Sequence, residues 1–471
     1  MKKFLCLILA LALLSLNACS KKEDVRQEKK DPTLDKISVV TTDTDSMKKK
    51  AVEALNSLED ISLSEKGITV FSSTDMKVVP EDESTVYSYN LVQRNRMFEK
   101  KYSTALNQFS QNSEDLLTEA YYNMLAGIGF ADLFVIPAKD LSKYAAKGIL
   151  LNTTALPNSD FSAAWFNYNL MQKSAHSNDS YAVYGDFNKD IPSYYCIYVN
   201  RTLLKQAGMK MPYKDVTSGE WTWDKLIEMS RNSTAANEEN FILSTKSNET
   251  TANVCFKSAG LDYISSSHKA TPAVSFANEN SQNVLELLRS LNAAGKISND
   301  TADFTQGSSL FYLGTVRDTE KVKFLKDDWC ILPVPKTNTA SQSYTAYMDE
   351  NHSVLVCYAG ASNSSKLFYA LEGLNAASYG GYLTDAYYNE LILYSLRDSD
   401  TLNMLDYICG VKSGVQTTDF TDYYADSYPD LYLKTRTALA EAASGSTVDV
   451  YTVEETAKAK LEPIFRSYFT E

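Results

Sequence analysis

The side chains able to do chemistry in this chain of 471 residues are rings and carboxylates. There are 31 Tyr and 4 Trp, with Asp and Asn densely interleaved, against only 3 His. So few histidines leave little room for a His-rich metal site or for histidine-based catalysis. No zincin, P-loop or paired-Cys zinc spacing is present, so neither a metal nor a cofactor is expected. Aromatic rings cover apolar C–H faces, while carboxylates and amides hydrogen-bond hydroxyls. A buried bond of that charged kind contributes roughly 1.5–3 kcal/mol. This supply suits the recognition of a hydroxyl-bearing molecule.

Individual positions follow from local pattern. Asp75, in Ser73-Thr74-Asp75-Met76, comes just after a β-prone run, where it either faces a ligand or caps a loop. Asp132 opens another such run, as an exposed turn residue or a ligand contact. Trp165 sits among Phe161, Phe166 and Tyr168 and reads as a core anchor or a stacking platform. Trp221 and Trp223 flank Thr222, which is placed to cap the next helix; Trp221 is the better ligand candidate of the two.

These positions need a scaffold, and the chain alternates strand-like with helix-like segments from Ile68 onward. Strands are expected over Ile68–Phe71, Asp132–Ile136, Tyr195–Val199, Ile331–Val334 and Ser353–Cys357. Helices are expected over Glu83–Tyr102 and Leu141–Ala146, around Val284, Leu287, Leu288 and Leu291, and around Leu367, Leu371 and Leu374. Alternation of this kind predicts α/β lobes with parallel-rich sheets.

The start of the chain has the layout of an export signal: Lys2 and Lys3, then an almost wholly apolar run from Phe4 to Leu16. It ends in Leu16-Asn17-Ala18-Cys19-Ser20, which resembles the lipobox of bacterial lipoproteins. The resemblance implies cleavage before Cys19, a diacylglycerol on its thiol, and firm anchoring by several acyl chains. The polar stretch 20–36 reads as a tether. The net charge of -13 argues against nucleic acid as a partner, and loss of residues 1–18 removes two lysines and no acid, which widens the acidic excess. Five widely spaced cysteines remain: Cys196, Cys255, Cys330, Cys357 and Cys409. They read as small buried hydrophobes, with one disulfide left open.

Several segments, in consistent order over roughly residues 68–420, resemble the extracellular solute-binding lipoproteins of ABC importers, in the carbohydrate-associated cluster that includes maltose-binding protein. They are Gln93-Arg94-Asn95-Arg96, Gly129-Phe130-Ala131-Asp132-Leu133-Phe134, Ala146-Lys147-Gly148-Ile149-Leu150, Tyr184-Gly185-Asp186 followed by Tyr198-Val199-Asn200-Arg201, Glu220-Trp221-Thr222-Trp223, Trp329 to Lys336, and Arg397-Asp398 with Asn403 to Ile408. Val199-Asn200-Arg201 departs from the usual aromatic-asn-lys. The resemblance implies a two-lobed periplasmic-binding-protein-like fold, with a hinge of crossing strands and a ligand cleft between the lobes. After a signal at 1–18 and a lipidated tether at 19–67, one lobe comprises 68–187 plus 332–378, and the other 188–331 plus 379–471. Tyr184 and Asp186 then flank the crossing. Tyr344, Tyr347, Asp349 and Glu350 form a second wall. Tyr379 and Tyr382, around Gly380-Gly381, fall between the lobes. The function implied is capture of a carbohydrate, an oligosaccharide by this resemblance, on the extracytoplasmic face, for delivery to ABC permease subunits. A receptor for a non-sugar solute such as a peptide, and an anchored glycan-acting enzyme, remain the alternatives.

Overall fold

The computed structural model describes residues 44–469 apart from 64, 176–178, 237–239, 268–269, 295–296, 341–342, 397–399, 413 and 446–447. Cys19, the export signal, most of the tether and Arg397-Asp398 lie outside the described residues.

Two sheets organise the chain. The first has strand order Ser353–Cys357, Leu133–Pro137, Ile68–Ser72, Leu106–Ser110. Ile68–Ser72 is parallel to both its neighbours, and Ser353–Cys357 runs antiparallel to Leu133–Pro137. The second has the order Trp329–Pro333, Tyr195–Asn200, Ser309–Thr315, Phe241–Thr245, Ile297–Ser298. Its strand Tyr195–Asn200 is antiparallel to both flanking strands, whereas Phe241–Thr245 is parallel to its partners. The parallel-rich expectation thus holds for the first sheet, while the second is mixed. Tyr195–Asn200, Ser309–Thr315, Trp329–Pro333 and Ser353–Cys357 are buried along their whole length, as near-continuous apolar strands covered on both faces must be.

Helix boundaries follow local chemistry. The helix expected from Glu83 begins at Val86, because Thr85 and Ser88 form a reciprocal capping box. Asn200 closes its strand and caps the helix Arg201–Gln206 by accepting from the Leu203 N–H. Arg94, buried in the helix Val86–Tyr102, donates to the Val78 carbonyl at 3.0 Å and lies 4.6 Å from the Phe187 ring centroid.

Two segments sit elsewhere than the expected lobe limits place them. The helix Tyr382–Tyr394 packs on Val86–Tyr102 and Thr44–Asn56, beside the first sheet. Thr345–Tyr347 pairs in parallel with Val415–Thr417 and packs on the helices Asn248–Ser258 and Asp400–Ile408, beside the second. In both cases an apolar face follows the surface that buries it, not the chain order. The five cysteines are free and buried, so the disulfide left open does not form.

The tyrosines also differ from their expected role. Tyr102, Tyr144, Tyr194, Tyr198, Tyr263, Tyr347, Tyr358 and Tyr382 are among the largest fully buried side chains. Many hydroxyls reach a backbone carbonyl, as from Tyr198 to Thr315, Tyr358 to Ala120 and Tyr144 to Ser113, each at 2.7 Å. A buried ring whose hydroxyl is satisfied is core material.

Leu355, with no exposed surface at the centre of Ser353–Cys357, tests this packing. Leu355→Ala should lower unfolding free energy by about 2–5 kcal/mol, read as a reduced midpoint in urea denaturation.

Candidate functional site

The lobes meet where the chain crosses between the sheets at 184–194 and again at 348–353. Each crossing is fixed by polar contacts. Tyr184 Oη lies 2.7 Å from both His352 Nε2 and Tyr423 Oη, and Tyr423 Oη is 2.8 Å from Thr418 Oγ1. His352 Nδ1 lies 2.5 Å from the Asp349 carbonyl oxygen. That carbonyl can only accept, so Nδ1 carries the proton and Nε2 is the acceptor. Tyr184 must then donate to His352, Tyr423 to Tyr184, and Thr418 to Tyr423. Burial holds the His352 pKa below its ordinary value, which keeps the ring neutral and the chain of donors in this sense.

Two cavities flank the crossings and share Lys189, Asp190 and Ser353. Asp190 Oδ2 accepts from the Ser353 N–H at 2.7 Å, and the Ser353 hydroxyl is 3.0 Å from Thr74 Oγ1, which fixes this common floor. The larger cavity, about 510 Å³, lies at the C-terminal ends of Ile68–Ser72 and Leu133–Pro137, lined by Thr74, Asp75, Lys77 and Pro137. Arg317, just past Ser309–Thr315, supplies its wall from the second lobe. Arg317 donates to Asp349 at 3.0 Å and to the Ser193 hydroxyl at 2.9 Å. Burial raises the Asp349 pKa to about 7 against the lowering effect of Arg317. The smaller cavity, about 340 Å³, is lined by Trp165, Tyr168, Tyr184, Asp186 and Gln416. Burial raises the Asp186 pKa to about 6, opposed by Lys189 and by the Gly380 N–H.

The rims of the lobes touch directly. Lys139 pairs with Asp426 at 3.4 Å, the Ser142 and Ser427 hydroxyls are 2.8 Å apart, and the Lys139 N–H donates to the Glu350 carbonyl at 3.0 Å. Beside this contact Asp140 is raised to about 6, first by burial and next by Asp426.

Of the expected site residues, Asp75 lines the larger cavity, and Trp165, Tyr184 and Asp186 the smaller. Tyr379 stands behind, edge-on to Trp165 with ring centroids 6.0 Å apart. Asp349 and Glu350 act from behind the wall, Asp349 holding Arg317 and Glu350 pairing with Lys246 at 3.6 Å. Four positions are corrected. Asp132 accepts from the Thr69 N–H at 2.8 Å, at the end of Leu133–Pro137 remote from the cavity, so it braces two strands. Trp221 is fully buried and donates to the Pro333 carbonyl at 2.8 Å. Tyr344 is buried and donates to the Val216 carbonyl at 3.1 Å. Tyr382 is fully buried, with its hydroxyl on the Ala377 carbonyl at 2.9 Å. Sequence reasoning missed Lys189, Asp190 and Arg317; Asp186-Phe187-Asn188-Lys189-Asp190, beside the expected crossing, carried the available signal.

No family profile matches the chain, and comparison with curated proteins finds no match in sequence. Solved structures do match in shape. The cyclic alpha-maltosyl-1,6-maltose binding protein of Arthrobacter globiformis aligns with a TM-score of 0.61 at 13% identity, over 86% of this chain and 100% of its own. The GacH receptor of Streptomyces glaucescens, solved unliganded and with acarbose, gives 0.53 at 14% identity, over 87% and 100%. A family 1 extracellular solute-binding protein of Bifidobacterium longum subsp. infantis gives 0.54 at 14%, over 85% and 100%. The chain has the two-lobed α/β fold of these solute-binding proteins. Among the described residues, no helix is long and apolar enough to cross a membrane, and no cluster of three His, Cys, Asp or Glu is placed to hold a metal ion.

Two outcomes test the site's internal electrostatics. Tyr423→Phe removes the donor to Tyr184 and the acceptor of the buried Thr418 hydroxyl, which should cost about 1–3 kcal/mol of stability in urea titration. Asp140 has a folded pKa of about 6, above an unfolded value of roughly 3.9. Its ionised form therefore opposes folding, fully above pH 6 and not at all below about pH 4. Asp140→Asn should raise the Tm at pH 8 and flatten the rise of Tm that the wild type shows on acidification toward pH 5.

Proposed function

We propose that this chain is the substrate receptor of an ABC importer and captures a carbohydrate, an oligosaccharide, in the cleft between its lobes. The observation that carries the reading is the 510 Å³ cavity at the C-terminal strand ends of the first sheet, walled by Arg317 of the second lobe, in a fold shared with sugar-binding receptors. Other proteins of this shape were solved with maltotetraose and with lacto-N-biose, which supports the same ligand class. One was solved with glycerophosphocholine, so the shape also serves a non-sugar solute.

In this reading Asp75 accepts ligand hydroxyls from the first lobe and Arg317 donates from the second. A ligand touching both favours the closed arrangement, which the permease subunits recognise. The role is binding and delivery, with no bond made or broken. Cys19 carries the lipid, the tether sets the receptor above the extracytoplasmic face, and the lobes divide near 184–194 and 348–353.

Isothermal titration against neutral oligosaccharides should give saturable binding, with a smaller radius of gyration in small-angle scattering when ligand is added. Asp75→Asn should weaken that binding about tenfold, the loss of one charged hydrogen bond. Binding of peptides with no response to any glycan would overturn the sugar assignment.

A further inference from the structure

The segment Gly185 to Asp190 is held so that two opposite charges are left over. Asn188 accepts from the Gly185 N–H at 3.0 Å and donates to the Val183 carbonyl at 2.9 Å. Asn375 accepts from the Phe187 N–H at 3.1 Å. Asp190 is engaged by the Ser353 N–H. Gly185 leaves no slack: a Cβ there would lie 2.1 Å from Asn375 Oδ1 and 2.6 Å from the Trp165 carbonyl oxygen. The backbone is therefore rigid before anything binds.

Asp186 and Lys189 are the exceptions. The Asp186 carboxylate has one hydrogen bond among the described residues, from the Gly380 N–H. The Lys189 carbonyl accepts from the Ile191 N–H at 3.2 Å, but the ammonium makes no hydrogen bond and no ion pair among them, not even with Asp186. Both line the smaller cavity, and the Tyr168 ring, 53% exposed, stands at its edge. An acceptor and a donor not paired with each other, in one cavity with an open ring, offer a pyranose hydrogen bonds for its hydroxyls and a surface for its C–H face. Asp186 and Asp190 together outweigh Lys189, so the cavity has no cationic excess to hold an acidic sugar.

We infer that the cavity of Trp165, Tyr168, Asp186 and Lys189 is a second ligand subsite that takes a neutral pyranose unit, bridged by Asp186 and Lys189. The inference rests on the receptor reading and adds a chain-length requirement, because the two cavities are neighbours that share Lys189, Asp190 and Ser353 in their linings. Preorganisation of the segment means that binding carries little ordering cost there.

The test is titration of the wild type, Asp186→Asn and Lys189→Met with linear neutral oligosaccharides of two to six units and with oligogalacturonides of equal length. Wild-type affinity should rise at least tenfold from two units to four. Each variant should remove that gain, and Asp186→Asn, whose side chain lines the smaller cavity and not the larger, should leave binding of the shortest ligand within threefold. A double variant no weaker than either single one would show that both side chains serve one sugar unit. Unchanged affinity in both variants, with neutral ligands still bound, would overturn the subsite and leave the receptor reading intact. Tighter binding of oligogalacturonides than of neutral chains would overturn the neutral-sugar assignment. Failure of the wild type to bind any glycan would instead remove the receptor reading itself. Unchanged thermal unfolding in both variants separates loss of the subsite from loss of fold.

Discussion

The hydrogen bond from His352 to the Asp349 carbonyl decides the direction of each hydroxyl donor in the chain that ties the crossings together. It passes through Tyr184 and Tyr423 to Thr418, and so joins the first crossing, the second crossing and the second lobe in one ordered chain. Such a chain in a low-dielectric interior tolerates no missing member, because an unpaired buried polar group costs more than the bond itself returns. The same turn places the Asp349 side chain against Arg317, and Arg317 is the wall of the larger cavity. The site and the hinge therefore share parts, and neither can be repositioned alone.

A second buried network stiffens the far side. Arg436 pairs with Asp422, and Lys257 pairs with Asp262 and Asp419. The Tyr347 hydroxyl takes a hydrogen bond from Arg436 at 3.0 Å and another from Asn253 at 2.6 Å. Breaking one partner of a buried ion pair strands the other charge, so these contacts specify an arrangement more than they add stability. They hold the segment 418–428, which carries both Tyr423 of the hinge and Asp426 of the rim.

Much of the scaffold was legible in the residues. Leu141–Ala146 and Ser353–Cys357 form where periodicity and apolar runs place them, since their burial is set by local pattern. Asp75, Trp165, Tyr184 and Asp186 line cavities because they follow strand ends or flank a crossing, which chain order reveals. The fate of a tyrosine or tryptophan was not legible. Trp221, Tyr344 and Tyr382 are amphipathic, and whether the polar tip meets a ligand or a carbonyl depends on residues far along the chain, such as Pro333 for Trp221. Arg317 was hidden for the same reason: only the register of Ser309–Thr315 against Tyr195–Asn200 brings it to the crossing. The placement of Tyr382–Tyr394 beside the first sheet likewise reflects an apolar face that chain order does not reveal.

The contact of Lys139 with Asp426 leaves each side chain about a third exposed, at 33% and 35%. A pair so placed contributes roughly 0–1 kcal/mol and weakens as salt rises. It is thus a bias, too weak to shut the lobes unaided. Its effect belongs to kinetics: opposite charges on facing rims steer the last approach of the lobes and slow their first separation. How long the two rims stay together would then depend on the ionic strength of the surrounding medium, even where nothing charged lies between the lobes.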